Sequence, residues 1–240
     1  MKFVAATNVG NIRTNNEDSY YIPENSNGHV FILADGMGGH LAGETASKLA
    51  ASIISEYLEN QEINSEEDVE LAIINSIELA NKKIFKLSED NLEYRGMGTT
   101  LSLVYIYNNK VIYTNIGDSR IYEIDDKTLI QLTKDDSFVN YLLDIGEITE
   151  DEAKNHPKKN VLTKALGTSE NIKAKIEYRE MKKGVKYLLC SDGLTNMVEI
   201  NRIMKIINEN SIDIAKDILI KEALENGGVD NITLILIDNE

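Results

Sequence analysis

Four hydrophobic runs of this chain border an aspartate that has a glycine or an asparagine beside it. The aspartates are Asp35 in FILADGMGG, Asp118 in TNIGDSR, Asp192 in YLLCSDG and Asp230 in GGVDNITLILI. A β-strand delivers the side chain at its end to a sheet edge with little positional freedom, so four such endings can converge on one point. Any one of these motifs is also typical of an ordinary turn. Together, the four motifs predict a cluster of carboxylates at the edge of a sheet.

A carboxylate cluster of this kind requires a cation. Crowded carboxylates repel one another, and some of them would otherwise have to take up protons. Oxygen ligands suit Mg²⁺ or Mn²⁺, whereas zinc prefers cysteine and histidine. Because the chain has only one cysteine and three histidines, zinc is a poor candidate. We therefore expect a hard divalent ion at the four aspartates.

The composition is typical of a soluble enzyme. With 240 residues, of which 42% are hydrophobic, the chain can bury a sizeable core, and we expect one domain over 1–240. No membrane span or signal-peptide core is predicted, and the lone Cys190 agrees with a reducing compartment, so we expect a cytoplasmic protein. The net charge of −15 argues against a nucleic-acid partner, because binding to a phosphate backbone depends on clustered Lys and Arg.

Strand patterns dominate both ends of the chain, and helical patterns lie between them. Strands are predicted at 3–7, 19–22, 30–34, 176–180, 186–190 and 231–237, with a meander over 99–132 that turns at 108–109 and 125–126. Helical spacing of apolar residues predicts helices over 43–60, 66–87, 200–208 and 212–226. The polar stretch 136–166 is predicted to be an insertion that lies over the sheet. The pattern favours an α+β fold with helix layers on a mostly antiparallel core.

Six ordered motifs resemble those of a known enzyme family. They are RTNNED at 13–18, DGMGGH at 35–40, GTT at 98–100, GDSR at 117–120, SDGL at 191–194 and DNIT at 230–233. In this order they resemble the metal-dependent Ser/Thr protein phosphatases, in particular the bacterial type 2C branch, over essentially the whole chain. The resemblance implies a four-layer αββα sandwich, in which two antiparallel sheets are flanked by helix pairs. It also implies a flap subdomain at about 136–166 and metals in a channel at one end.

The resemblance also implies a metal-binding role for most of the motif residues. Asp35 would bridge two Mn²⁺ or Mg²⁺ ions, Gly36 would offer its backbone carbonyl, and Asp192 and Asp230 would complete the shell of the first ion. Asp18 would hold metal-bound waters. Glu17 and Asn231 would lie directly behind these ligands. Asp118 would bind a third, weaker ion that it shares with Asp192.

The remaining implied roles concern the substrate and the reaction. Arg13 would grip the substrate phosphate, and a guanidinium fork suits that contact. Two metals roughly 3.5 to 4 Å apart lower the pKa of a shared water, so that hydroxide attacks phosphorus directly and no phosphoenzyme is needed. His40 is the candidate proton donor to the leaving serine or threonine oxygen because it lies near Asp35 in sequence. A structural role at a helix end is the alternative for this histidine.

One position in the predicted flap departs from the family pattern. Many relatives have Asp-His-Ser where this chain has Asp135-Asp136-Ser137. This departure bears on the contacts of the flap and on the third metal site, but it does not affect the two-metal core.

Two other enzyme classes lack residues that they would need in this sequence. A dinucleotide loop would need glycine at position 41, which is Leu41, and a cysteine phosphatase built on Cys190 would need arginine where Asn196 stands. Two related alternatives stay open: a catalytically silent phosphoprotein-binding regulator, and a partner-switching phosphatase that acts on a phosphorylated anti-sigma-factor antagonist. By the resemblance, the partners would be a Ser/Thr kinase and its phosphorylated substrates in signal transduction, and the protein would be a monomer.

Overall fold

The computed structural model describes residues 1–23, 28–39 and 41–239. The strands are β1 Lys2–Asn8, β2 Asp18–Tyr21, β3 His29–Met37, β4 Gly98–Thr99, β5 Leu101–Tyr107, β6 Lys110–Ile116, β7 Arg120–Ile124, β8 Leu129–Gln131, β9 Glu177–Glu180, β10 Lys186–Cys190 and β11 Ile232–Asp238. The helices are α1 Leu41–Glu59, α2 Glu66–Asp90, α3 Phe138–Asp144, α4 Glu150–Lys154, α5 Asp192–Thr195, α6 Ile200–Glu209 and α7 Ile212–Glu225. A short 3-10 helix spans Leu92–Tyr94.

Within the described residues, the strands form two antiparallel sheets. The first sheet has the order β1-β11-β10-β7-β8, and the second has the order β2-β3-β5-β6-β9, with β4 paired to β3. Short connections set the antiparallel pairing. At one of them, Asn108 and Asn109 both have positive φ, 46° and 62°, as a two-residue turn between twisted strands requires. The predicted hairpin at 108–109 is therefore confirmed.

The long apolar run of β3 is explained by burial of both faces of its sheet. Val30 and Ile32 pack in the core that lies against α1 and α2. Phe31 and Leu33 point the other way and pack against residues of the first sheet such as Ile235. The outer face of the first sheet packs against α6 and α7 in a third core. The order is therefore helices, sheet, sheet, helices, which confirms the predicted αββα sandwich of the α+β class.

Residues 136–166 contain α3 and α4, and both ends of this stretch are hydrogen-bonded to the second sheet. At its start, the Asp136 N–H donates to the Gly117 carbonyl over 2.9 Å. At its end, the N–H of Leu166 and that of Thr99 each donate to the other residue's carbonyl, over 2.8 and 3.0 Å. The helices α3 and α4 lie between these anchors, so the insertion emerges beside the ends of β4 and β6. We refer to residues 136–166 as the flap.

None of the helices within the described residues combines the length and the apolar character needed to cross a membrane.

Candidate active site

The second sheet places Asp18 and Asp35 side by side on neighbouring strands. β2 pairs with β3 so that Asp18 lies directly opposite Asp35, and the Gly36 N–H donates to the Glu17 carbonyl over 3.0 Å. β3 continues to Met37 because Gly36 and Met37 pair with β4. Asp35 therefore lies within the strand, whereas the sequence had placed it just after the strand end at 34.

The first sheet brings Asp192 and Asp230 to the same end of the sandwich. β10 ends at Cys190, and Asp192 is the first residue of α5, whereas Asp230 lies just before β11. The two positions are neighbours because β10 and β11 are antiparallel, and the Ser191 N–H donates to the Thr233 carbonyl over 3.0 Å.

Ser191 connects the two sheets at this point. Its Oγ–H donates to Asp18 Oδ2 over 2.8 Å, and its Oγ accepts the Thr233 N–H over 3.0 Å. Both contacts are buried. The carboxylate of one sheet is thereby held against the strand ends of the other.

Asp118 reaches the cluster through a turn at the end of β6. Gly117 has a φ of 96°, which is unfavourable for residues with a side chain. The Asp35 N–H donates to Thr100 Oγ1 over 2.9 Å, and the Thr100 and Ser119 hydroxyls are hydrogen-bonded at 2.7 Å. Thr100 therefore holds the backbone of Asp35 beside the turn that carries Asp118.

These residues surround one open cavity of about 220 Å³. Its lining includes predicted site residues and two flap residues: Arg13, Glu17, Asp35, Gly36, Asp118, Asn160, Leu162, Asp192, Asp230 and Asn231. Asp18 is buried behind this surface. The structure thus brings together all of the predicted site residues that it describes. His40 lies outside the described residues, so its role as proton donor stays a prediction.

The carboxylates in this cluster favour protonation more than ordinary aspartates do. Burial, followed by repulsion from Asp192 and Asp230, raises the pKa of Asp18 to about 7, although hydrogen bonds from Thr233 and Ser191 oppose the shift. Burial and the charge of Asp192 raise the pKa of Asp118 to about 7. The pKa of Asp35 is raised well above its usual range by burial and by Asp18. The cluster therefore favours binding protons or a cation over keeping all of its carboxylates ionised without one.

Asp230 and Asp192, like Asp18, have hydrogen-bond partners within the protein. Asp230 Oδ2 accepts from Arg13 Nη2 at 2.8 Å, and its Oδ1 accepts the Asn231 N–H at 2.8 Å. Asp192 Oδ2 accepts from Asn196 Nδ2 at 2.9 Å. Among the described residues, no group of three Asp, Glu, His or Cys side chains has the geometry of a formed metal site. The carboxylates of Asp192 and Asp230 are thus hydrogen-bonded to neighbouring protein groups in this structure.

The chemistry of the cluster nevertheless fits a hard divalent ion. The available side-chain donors are carboxylate oxygens, which are the ligands that Mg²⁺ and Mn²⁺ prefer. Among the described residues, Asp18 Oδ1 is buried and has no hydrogen-bond partner. A buried carboxylate oxygen without a partner destabilises the fold unless a cation or an ordered water binds it. Gly36 leaves its backbone open to the cavity. A Cβ there would lie 2.1 Å from the Gly43 carbonyl oxygen, so no other residue fits.

Glu17 and Asn231 lie at the wall of the same cavity, beside the clustered aspartates. Both residues are buried. Asn231 Oδ1 accepts the Glu17 N–H over 2.8 Å, and its Nδ2 donates to the carbonyls of Val9 and Asn15 over 2.9 Å each. Asn231 thereby fixes both ends of the loop that carries Arg13.

Asp135 and Asp136, where the sequence departs from the family pattern, both make hydrogen bonds at the start of the flap. Asp135 accepts two hydrogen bonds from Arg120 Nε and one from Nη2, the shortest at 2.7 Å, and it anchors the start of the flap. Asp136 Oδ2 accepts the Gly117 N–H over 3.2 Å. The aspartate therefore contacts the backbone next to Asp118.

Cys190 is not available for a covalent mechanism. It is fully buried in β10, where burial raises the pKa of its thiol to about 12. A thiol that stays protonated and has no access to solvent is a poor nucleophile. The structure thus agrees with the sequence in disfavouring a cysteine phosphatase.

Sequence reasoning did not identify several residues that build this site. Ser191 and Thr100 were quoted only as parts of motifs, and nothing in the sequence indicates which carboxylate Ser191 meets. Asn160 and Leu162 line the cavity from the flap, where weak periodicity gave no signal.

Comparison with known proteins identifies the family. Residues 12–222 match the model of the protein phosphatase 2C family. The serine/threonine phosphatase stp of Listeria monocytogenes is 38% identical over 239 residues, which cover 98% of this chain and 94% of that protein. The serine/threonine phosphatase structure of S. agalactiae superposes with a TM-score of 0.95 at 34% identity, covering 100% of this chain and 99% of the other.

A further solved structure contains metal ions. The catalytic domain of the serine threonine protein phosphatase PstP, in complex with two manganese ions, has a TM-score of 0.85 to this chain at 34% identity. The comparison covers 99% of this chain and 97% of that one.

The fold and the site thus define a phosphatase with a carboxylate-lined cavity at the edges of two sheets. The chain belongs to the protein phosphatase 2C family, which confirms the resemblance stated above.

Proposed function

We propose that this chain is a metal-dependent protein-serine/threonine phosphatase. The observation that supports this function best is the convergence of Asp18, Asp35, Asp118 and Asp192 in one region, where burial raises the pKa of each. A protein that concentrates unneutralised carboxylates at a substrate-sized opening is built to bind cations there. The names of the relatives support phosphoserine and phosphothreonine as the substrate groups.

We propose Mn²⁺ or Mg²⁺ as the cofactor, with two core ions. Asp35, Asp192, Asp230 and the Gly36 carbonyl would hold these ions, and Asp18 would contribute through water. Asp118, together with Asp192, would hold a third and weaker ion. When bound, such ions lower the pKa of a water molecule and offset the negative charge on phosphoryl oxygens.

Arg13 would orient the phosphate. Arg13 lines the cavity, and its Nη2 donates a hydrogen bond to Asp230 Oδ2. Asp230 therefore holds the guanidinium in place before substrate arrives. The loop that carries Arg13 is fixed by Asn231, which limits the entropy lost when phosphate binds.

The Arg13→Ala variant tests this role. We expect KM for a phosphothreonine peptide to rise by roughly tenfold, with a smaller decrease in kcat, because one charge-assisted contact to the phosphate is lost. Arg13→Lys should recover only part of the loss, since an ammonium cannot contact two oxygens as a fork does. KM and kcat are measured by steady-state kinetics for the wild type, Arg13→Ala and Arg13→Lys. An unchanged KM in Arg13→Ala would show that Arg13 does not bind the phosphate.

The cellular role proposed here follows from the same chemistry. A protein-serine/threonine phosphatase reverses a kinase of matching specificity, so the proposed partners are a Ser/Thr kinase and its phosphorylated targets in signal transduction. We propose that the chain acts as a monomeric single domain in the cytoplasm.

Metal add-back tests the proposed function. Protein that has been stripped with a chelator is assayed on para-nitrophenyl phosphate and on a phosphothreonine peptide, with Mn²⁺, Mg²⁺ or neither added. We expect turnover only when an ion is present, and calorimetric titration should count at least two bound ions. Folded protein that is inactive with every ion would instead support the silent phosphoprotein-binding alternative.

A further inference from the structure

One segment of the flap is basic, although the flap as a whole has six acidic and four basic residues. The chain has 40 acidic and 25 basic residues, which gives a net charge of −15. Within residues 153–164, however, there are four lysines and no acidic residue: Lys154, Lys158, Lys159 and Lys164. We call residues 153–164 the basic strip.

The basic strip lies at the mouth of the catalytic cavity. Asn160 and Leu162, which belong to the strip, line that cavity. Lys159 and Lys158 directly precede Asn160, so their Cα atoms lie within about 8 Å of its Cα. The screening length at physiological salt is about 8 Å, so an ammonium group that comes within this distance of a ligand at the cavity mouth interacts with it despite the salt.

Lys158 and Lys159 are available to an incoming ligand. Both are exposed. In the described part of the chain, neither ammonium group forms an ion pair. The other two lysines of the strip have partners: Lys154 Nζ lies 3.6 Å from Asp151 Oδ1, and Lys164 Nζ donates to the Lys173 carbonyl. Lys158 Nζ lies 5.3 Å from the centre of the Phe138 ring, a contact that holds the ammonium at the flap surface.

The backbone beneath these lysines is well defined. The N–H of Lys158 donates to His156 Nδ1 over 3.1 Å, and the N–H of Lys159 donates to the His156 carbonyl over 3.1 Å. The Val161 N–H in turn donates to the Lys158 carbonyl over 3.1 Å. The two side chains therefore project from a fixed turn, so part of the entropy cost of presenting them is already met by the fold.

We infer that Lys158 and Lys159 select phosphoprotein segments that carry Asp or Glu close to the phosphorylated residue. A phosphopeptide is anionic, and a protein with a charge of −15 repels it at long range. Local lysines at the cavity mouth counter this repulsion, and they do so more strongly for a peptide with acidic neighbours. This inference rests on the proposed function for the phosphate, and it adds the sequence class of the substrate.

A binding experiment with matched peptides tests the inference. Two labelled nonapeptides carry a non-hydrolysable phosphonate in place of phosphothreonine, one with Asp and Glu neighbours and the other with Asn and Gln. Dissociation constants are measured by fluorescence anisotropy with Mn²⁺ present, at low and at high salt. We expect the acidic peptide to bind roughly three- to tenfold more tightly at low salt, with the difference shrinking at high salt.

Paired variants assign the effect to the flap. Lys158→Gln with Lys159→Gln should remove the preference, whereas Lys158→Arg with Lys159→Arg should retain it. Lys205→Gln with Lys221→Gln makes the same charge change on α6 and α7 and should leave the preference intact. Equal affinities for the two peptides in the wild type, or an equal effect of both Gln pairs, would overturn the inference.

Turnover of the corresponding phosphothreonine peptides separates the inference from the proposed function. If no peptide is hydrolysed but the charge-dependent binding persists, the proposed function fails and the selection by the basic strip stands. If hydrolysis occurs at equal kcat/KM and binding shows no preference, the phosphatase assignment stands and the inference fails.

Discussion

Asp35→Asn is expected to lower turnover of a phosphothreonine peptide by about a thousandfold or more, while the metal-free variant becomes more resistant to heat than the wild type. The loss follows from the position of Asp35 at the centre of the cluster, because an amide supplies no negative charge to an ion. An effect of several kcal/mol on the transition state corresponds to a factor of about a thousand. The gain in stability follows because burial and repulsion by Asp18 oppose ionisation of Asp35.

Kinetics and calorimetry on the same samples test both parts of this prediction. The melting temperature is measured in chelator, where a gain of 1 kcal/mol corresponds to about 2–4 °C for a chain of this size. Asp126→Asn makes the same chemical change in an exposed turn and should alter neither activity nor melting temperature. An Asp35→Asn protein with wild-type turnover would remove this residue from the centre of the site.

The combination of lost activity and gained stability distinguishes a functional carboxylate from a structural one. Arg120 holds Asp135 through three hydrogen bonds, and removing that aspartate would leave a mostly buried guanidinium without its partner. Replacing Asp135 should therefore destabilise the fold. Asp35 has no basic partner of this kind in the described structure, so its charge costs stability until a cation binds.

The fold was largely predictable because its signals are local. Residues 30–34 form a continuous apolar run, which is typical of a strand buried on both faces, and β3 packs on both faces in the structure. The Asn108-Asn109 turn was predicted from chemistry that only two adjacent residues determine. The end of β3 was placed too early because its extension to Met37 depends on pairing with β4, some 60 residues later in the chain.

The site was predictable in its composition but not in its contacts. Aspartates at strand ends indicated which residues would meet, since sheet edges leave little freedom. The bond between Ser191 and Asp18 joins residues 173 positions apart, and the pair between Arg13 and Asp230 joins residues 217 apart. Contacts of that kind depend on how the two sheets stack, which no local pattern encodes. The contribution of Asn160 and Leu162 depends similarly on how the flap folds back.

The stability of the metal-free protein is expected to fall as the pH rises from 5 to 8. Asp18 and Asp118 have a pKa of about 7 in the folded protein, against about 3.9 for an unfolded aspartate. A carboxyl with a raised pKa binds its proton more tightly when folded, so its contribution is fully present below about pH 4 and is lost as the pH rises through about 7. Both groups therefore act in the same direction across this range.

Scanning calorimetry in chelator, at half-unit steps from pH 5 to pH 8, tests this dependence. We expect the melting temperature to decrease by several degrees towards pH 8, and Mn²⁺ to restore it most strongly at the alkaline end, where the carboxylates are ionised and ready to bind. Asp118→Asn should flatten the profile, while Asp126→Asn, which removes an exposed charge of the same sign, should not. If both variants flatten it equally, the slope reflects the overall charge of −15 and not the cluster. A melting temperature that rises towards pH 8 without metal would mean that the carboxylates are neutralised by the protein itself, and the case for a cation at this site would lose its electrostatic basis.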